Sequence, residues 1–180
     1  MEVAMVKSKL LKREDVSDIV GLPVVVLDAA REFDEDDEPA IGVPHLEELS
    51  AAAAVTRCQM APRLRGRELR VMRKMLDLTQ PALGEALGGI ANVASMSRWE
   101  SEAMAIDDRA EKLLRILVCQ RLAPRAPGVS FDLDALLALT LTKREARMTA
   151  MEFRQVKKKV GHSVEDVWVT AVAAAAKKAA

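Results

Sequence analysis

Hydrophobic and polar positions divide the 180-residue chain into three sections. In residues 1–61 the β-branched run GLPVVVLDA, opening at Gly21, predicts a short strand. AIGVP predicts a second strand, and the two are placed to pair as a hairpin. From Pro44 the stretch PHLEELSAAAAVTRCQM predicts a helix, with proline in its first turn and Ala-rich helix formers behind it.

In residues 62–120 the period becomes helical. Leu69, Met72, Arg73 and Leu76 fall at i, i+3, i+4 and i+7 and make one inward face. Thr79 caps a helix through Leu87, which tolerates Pro81 in its first turn and buries Leu83, Ala86 and Leu87. Gly88-Gly89 stops it. Asn92 caps the next helix, which runs to Ser101 with Met96 and Trp99 inward. Asp107 or Asp108 caps a further helix, lined by Ala110, Leu113, Leu114 and Leu117. In residues 121–180, APRAPG is a linker, FDLDALLAL a short helix, and MEFRQVKKKVGHSVEDVWVTA a β-hairpin about a Gly-His-Ser turn. The closing AAAAKKAA reads as a frayed or disordered tail, with lysines able to touch phosphates weakly.

Half of the residues are apolar but only 3% are aromatic. A core of Leu, Val, Ala and Met suits helices better than a large antiparallel sheet. The formal net charge is zero and unevenly spread. Residues 28–48 hold nine acids against one base, including DEDDE at Asp34 to Glu38, whereas residues 57–74 hold seven bases against Glu68 alone. The acidic run reads as a solvated connection, with DNA mimicry or contact with a basic partner as the alternative. The basic run fits either phosphate binding or solvated helix faces.

Cys58 and Cys119 belong to no CxxC or Cys/His cluster and read as reduced thiols of a cytoplasmic protein. The longest apolar run falls short of a membrane span, and the N-terminal segment lacks an apolar signal core. No catalytic constellation stands out. His45 and His162 are isolated, and neither HExxH nor GxxxxGK[ST] occurs. His45, near a helix start, reads as a surface or cap residue. No enzyme activity, metal or cofactor is expected.

The ordered set ELRVMRKMLDLTQ, Gly84 at a packing position, MSRWE and EKLLRIL resembles the Xre, or λ-repressor-like, family of helix-turn-helix regulators over residues 64–118. With GLPVVVL and GVPHLEEL ahead of that set and MEFR behind it, the chain is more closely similar to the MqsA-type antitoxins and their stand-alone relatives, over residues 19–118. It departs from them in three places. The two CxxC pairs that hold zinc in classical members are absent. The turn GGIAN between Leu87 and Val93 is longer. Ser101-Glu102 stands where a glycine usually follows WE.

The resemblance implies a mainly α chain with small β elements (α+β): a λ-repressor-like helix-turn-helix bundle flanked by an N-terminal β-hairpin and helix and a C-terminal β-hairpin. Its regions are an extension over 1–61 for dimerisation or partner binding, an Xre-type DNA-binding domain over 62–120, and a C-terminal extension over 121–180.

In such folds the second helix of the pair lies in the major groove, with its N-terminal residues at base edges. With Met96 and Trp99 inward, Val93, Ala94, Ser97 and Arg98 point outward and Ser95 lies near the groove-facing edge. Arg98 can bind guanine O6 and N7 together, worth roughly 1–3 kcal/mol of discrimination. The resemblance supports that role; binding a phosphate or capping a neighbouring helix is the alternative. Val93 and Ala94 offer methyl groups to thymine, and Ser95 and Ser97 can bond bases or phosphates. By resemblance, Gln80 binds a backbone phosphate, and Arg73 pairs with Glu100 in a partly buried bridge that orients the reading helix. Arg63, Arg65 and Arg67 are candidates for flanking phosphates or solvated surface.

The expectation is a cytoplasmic, sequence-specific DNA-binding transcriptional regulator, a repressor or autoregulator. It would act as a homodimer on double-stranded DNA, with half-sites about 34–36 Å apart. Two alternatives stand beside it. One is a type II antitoxin that mainly neutralises a toxin protein, to which the acidic run points. The other is a helix-turn-helix scaffold that binds only protein.

Overall fold

The computed structural model describes residues 8–35, 38–145, 148–160 and 162–172. The Ala/Lys tail, Asp36 and Asp37 of the acidic run, and Gly161 of the Gly-His-Ser turn lie outside them.

Two sheets organise the molecule. Strands β1 (Ser8–Leu10), β4 (Arg31–Glu35) and β5 (Glu38–Gly42) form an antiparallel sheet in the order β1-β4-β5. Strands β2 (Arg13–Asp15), β3 (Val24–Leu27), β6 (Met151–Val160) and β7 (Ser163–Thr170) form a mixed sheet in the order β2-β3-β6-β7. This corrects the expected mainly α, λ-repressor-like bundle with small flanking strands. The two expected N-terminal strands do not pair with each other: β3 is central in one sheet and β5 is an edge of the other.

The reason lies in β3 itself. Val24, Val25 and Val26 are all buried, so consecutive residues on both faces need cover, which a two-stranded hairpin cannot supply. β3 finds it in β6, its parallel neighbour from the far end of the chain, with Val24 opposite Met151 and Leu27 opposite Arg154. The stretch ahead of β3 serves both sheets. It bends between β1 and β2, where Leu11 N–H donates to Ala30 O (2.9 Å) and Asp28 N–H to Lys12 O (3.1 Å). Within the acidic run, Asp34 and Glu35 end β4 and Glu38 begins β5. β6 and β7 pair antiparallel from Phe153 opposite Thr170 to Val160 opposite Ser163.

Seven α-helices occur among the described residues: α1 (Ser17–Val20), α2 (Leu46–Cys58), α3 (Gly66–Met75), α4 (Gln80–Ala86), α5 (Val93–Glu100), α6 (Asp108–Leu122) and α7 (Leu133–Ala138). α2 starts two residues after Pro44, with His45 at its N-cap in the left-handed region. Leu49, Ala51 to Ala54, Val55 and Cys58 are all buried. An Ala-rich helix that is apolar nearly all round is one that packs on several sides. α2 lies between α6 and the β6–β7 hairpin. Trp168 of β7 closes over its start, donating its indole N–H to His45 O at 3.2 Å. One continuous core runs from the mixed sheet through α2 into α3–α6.

α6 turns a different face inward from the one its leucines suggest. Ala110, Leu114, Val118, Cys119 and Leu122 are buried, and so are Glu111 and Arg115, whereas Leu113 is 43% exposed. Among the described residues, no helix is long and apolar enough to cross a membrane.

Candidate nucleic-acid interface

α4 and α5 are joined by a turn in which Gly88 and Gly89 both adopt positive φ. Each helix has a side-chain cap. Thr79 Oγ1 accepts Ala82 N–H (3.3 Å), and Asn92 Oδ1 accepts Ser95 N–H (2.8 Å). The turn passes over Gly84, where a Cβ would stand 2.3 Å from Ala91 O. Only a residue without a side chain lets the turn approach α4 so closely.

Met96 and Trp99 are buried. They pin the inner face of α5 and leave Asn92, Val93, Ala94, Ser97 and Arg98 exposed, with Ser95 half-buried. The eight residues of α5 span about 12 Å at 1.5 Å per residue, comparable with the width of the major groove. The outer face therefore carries small side chains, two hydroxyls and one guanidinium.

Behind that face lies a three-residue network. Arg73 Nε donates to Glu100 Oε1 (2.5 Å) and Nη2 to Oε2 (3.1 Å), with the side chains 13% and 7% exposed. Arg73 Nη1 also donates to Leu78 O (2.8 Å). Gln80 Nε2 donates to Glu100 Oε2 at 3.0 Å, which ties the start of α4 to the end of α5. Burial works to raise the Glu100 pKa, but the hydrogen bonds from Arg73 and Gln80 outweigh it and hold the carboxyl below its ordinary value. One carboxylate thereby joins α3, the start of α4 and the end of α5.

The basic run divides by environment. Arg63 is bound to Asp108 and donates to Ile106 O at 3.2 Å. Arg65 donates to Glu145 O at 2.5 Å. Both guanidinium groups are thus engaged by the protein's own groups. Arg67 is 67% exposed and lies 3.7 Å from the carboxylate of Asp18. Arg70 and Lys74 are also exposed.

Sequence reasoning missed a second charged group. Arg57 is buried and forks onto Glu68, Nε to Oε1 at 2.7 Å and Nη2 to Oε2 at 3.0 Å, and it also donates to Pro62 O and Arg63 O. Glu68 in turn accepts Arg65 N–H at 2.7 Å. Arg115, equally buried, pairs with Glu111 one turn back and donates to Cys58 O, Met60 O and Pro62 O. Glu111 accepts Leu64 N–H at 2.8 Å. Two Arg–Glu pairs thus satisfy the polar backbone of the α2–α3 connection, which packs under α6. A helical spacing that puts Glu111 and Arg115 on the buried stripe beside Leu114 and Val118 is the signal that could have revealed them.

Cys58 and Cys119 are both free and buried, and burial pushes the Cys58 thiol up. Among the described residues, no three His, Cys, Asp or Glu gather as a metal site. His45 is half-exposed and lies 3.5 Å from Glu48. No family model, curated protein or solved structure matches the chain.

Proposed function

We propose that the chain is a sequence-specific DNA-binding regulator that sets α5 in the major groove. The observation that carries this reading is the two-sided character of α5. It is fixed from behind by Met96, Trp99 and the Arg73–Glu100–Gln80 network, and it presents Val93, Ala94, Ser97 and Arg98 outward. Arg98 is the polar anchor, read against guanine. The methyl groups of Val93 and Ala94 are suited to thymine, and Ser97 to a base edge or a phosphate. With so few polar groups, DNA shape and phosphate contacts carry the remaining selectivity. Among the arginines of the basic run, Arg67 and Arg70 are exposed for phosphates, whereas Arg63 and Arg65 are occupied. The similarity of residues 64–118 to the Xre pattern supports the same reading. A homodimer on double-stranded DNA, working in the cytoplasm, completes it, because one short helix reads few base pairs.

The test is Arg98→Ala. The variant is expected to fold as the wild type and to lose its footprint on selected sites while keeping salt-dependent, non-specific binding. An unchanged footprint removes Arg98 from the reading. A second reading, a scaffold that binds protein through the same face, is favoured by the exposure of Ile90 and Val93, at 50% and 49%. It requires that no salt-dependent affinity for DNA be measured at all.

A further inference from the structure

Glu102, two residues beyond α5, has φ 62, a left-handed conformation that residues with a Cβ seldom adopt. Such a residue persists where its surroundings over-determine it. Here the carboxylate does so. Oε1 accepts the backbone N–H of Gly66, the first residue of α3, at 2.8 Å, and Oε2 lies 3.6 Å from Nη1 of Arg144. Its own N–H donates to Trp99 O at 3.2 Å.

The joint that Glu102 spans is tight. A Cβ on Gly66 would stand 2.5 Å from the carbonyl oxygens of both Trp99 and Glu100, so the start of α3 and the end of α5 meet backbone to backbone. A third segment reaches the same point. Thr142 N–H donates to Ala61 O (3.0 Å) and Arg63 N–H to Thr142 O (3.2 Å). With Arg65 bonded to Glu145 O, the stretch from Thr142 to Glu145 forms a strap along residues 61–65 and delivers Arg144 to the carboxylate.

We propose that Glu102 is a positioning residue for α5: it latches the end of the helix to the first turn of α3 and to the Arg144 strap, and so sets the angle at which the outer face is presented. The latch itself rests on the geometry above; its consequence for DNA rests on the reading in the preceding section. Glycine would suit φ 62 better, so a glutamate there trades backbone comfort for the two contacts of its side chain.

Two variants separate these contributions. Glu102→Gly relieves the backbone and removes the latch. Glu102→Gln keeps an acceptor for Gly66 N–H. In amide NMR spectra of the free proteins, Glu102→Gly is expected to shift the resonances of Val93 to Arg98, with Tm within about 2–4 °C of wild type, and Glu102→Gln to leave them near wild type. On DNA fragments selected by the wild type, Glu102→Gly is expected to lose about tenfold in the ratio of specific to non-specific affinity, and Glu102→Gln to restore most of it. Unmoved α5 amides in Glu102→Gly overturn the latch, whether or not the protein binds DNA. Shifts spread over the whole spectrum, or an equal loss in both variants, also overturn it. Shifted α5 amides in a protein whose wild type selects no DNA support the latch and overturn the DNA reading.

Discussion

The two ends of α3 use the same chemistry for different ends. Near its start, Glu68 meets Arg57, with side chains 5% and 0% exposed, and next to it Glu111 meets Arg115 at 0% and 1%. Their spare donors go to backbone carbonyls of the α2–α3 connection. Near its last turn, Arg73 meets Glu100 at 13% and 7%, and the third partner is a side chain of α4. The first group neutralises itself where the chain must turn inside the protein. The second holds a helix whose other face stays open. Depth of burial therefore divides a fold-holding clamp from a helix-orienting one, because an unpaired charge costs more the further it is from water.

The largest expected effect lies in the deep clamp. Arg115→Ala leaves buried Glu111 with only the more distant Arg63, 3.8 Å away, for a cation and strips donors from Cys58 O, Met60 O and Pro62 O, at a cost of about 3–5 kcal/mol. Urea denaturation should show it, with DNA affinity per folded molecule unchanged. Glu100→Ala is expected to cost less, about 2–3 kcal/mol, since its partner Arg73 can reach solvent, but it should also lower specific DNA affinity. If both variants lose equal stability and neither alters binding, the division between the two clamps fails.

Acid titration sharpens the comparison further. The Glu100 carboxyl lies below its ordinary value because Arg73 and Gln80 outweigh its burial. Its contribution is therefore complete above the ordinary glutamate value of about 4.3 and is lost as the pH falls through the lower folded value. The wild type should outlast Glu100→Gln at neutral pH by a constant margin that shrinks below about pH 4. A margin flat down to pH 2 on the same scale contradicts the assignment. Smaller still, Asn92→Ala removes the cap on Ser95 N–H and is expected to cost about 1 kcal/mol by thermal unfolding. Arg98→Ala, on an exposed position, should change stability by no more than about 0.5 kcal/mol.

The helical middle of the chain was legible because its signals are local. Thr79, Asn92 and Asp107 each accept backbone N–H groups at a helix start, and Met96 and Trp99 are buried at the spacing their period implies. Gly84 is small because Ala91 O lies against it. The β6–β7 hairpin was legible in the same way, but the long-range pairing that builds the sheets was not. The pairing of Val24 with Met151 joins distant segments, and no turn residue announces it. The three valines of β3 looked like half a hairpin because alternation cannot tell a strand covered on both faces from a short apolar run. Arg57 and Arg115 were hidden differently. In a sequence a buried arginine and a solvated one are the same letter; helical spacing places Arg115 on the buried stripe of α6, but nothing local marks Arg57 as a donor to the α2–α3 connection, which needs partners in the interior. The same limit applies to Arg63 and Arg65, which read equally as phosphate contacts or solvated surface and instead engage Asp108 and the carbonyl of Glu145.

The most direct test is selection of bound fragments from a random DNA pool by the purified wild-type protein, with Arg98→Ala run in parallel. Enrichment of a two-fold symmetric site by the wild type, and its loss in the variant, is the expected result. A pool that stays unenriched for both, at salt low enough to favour phosphate contacts, contradicts the assignment of α5 as a reader of DNA.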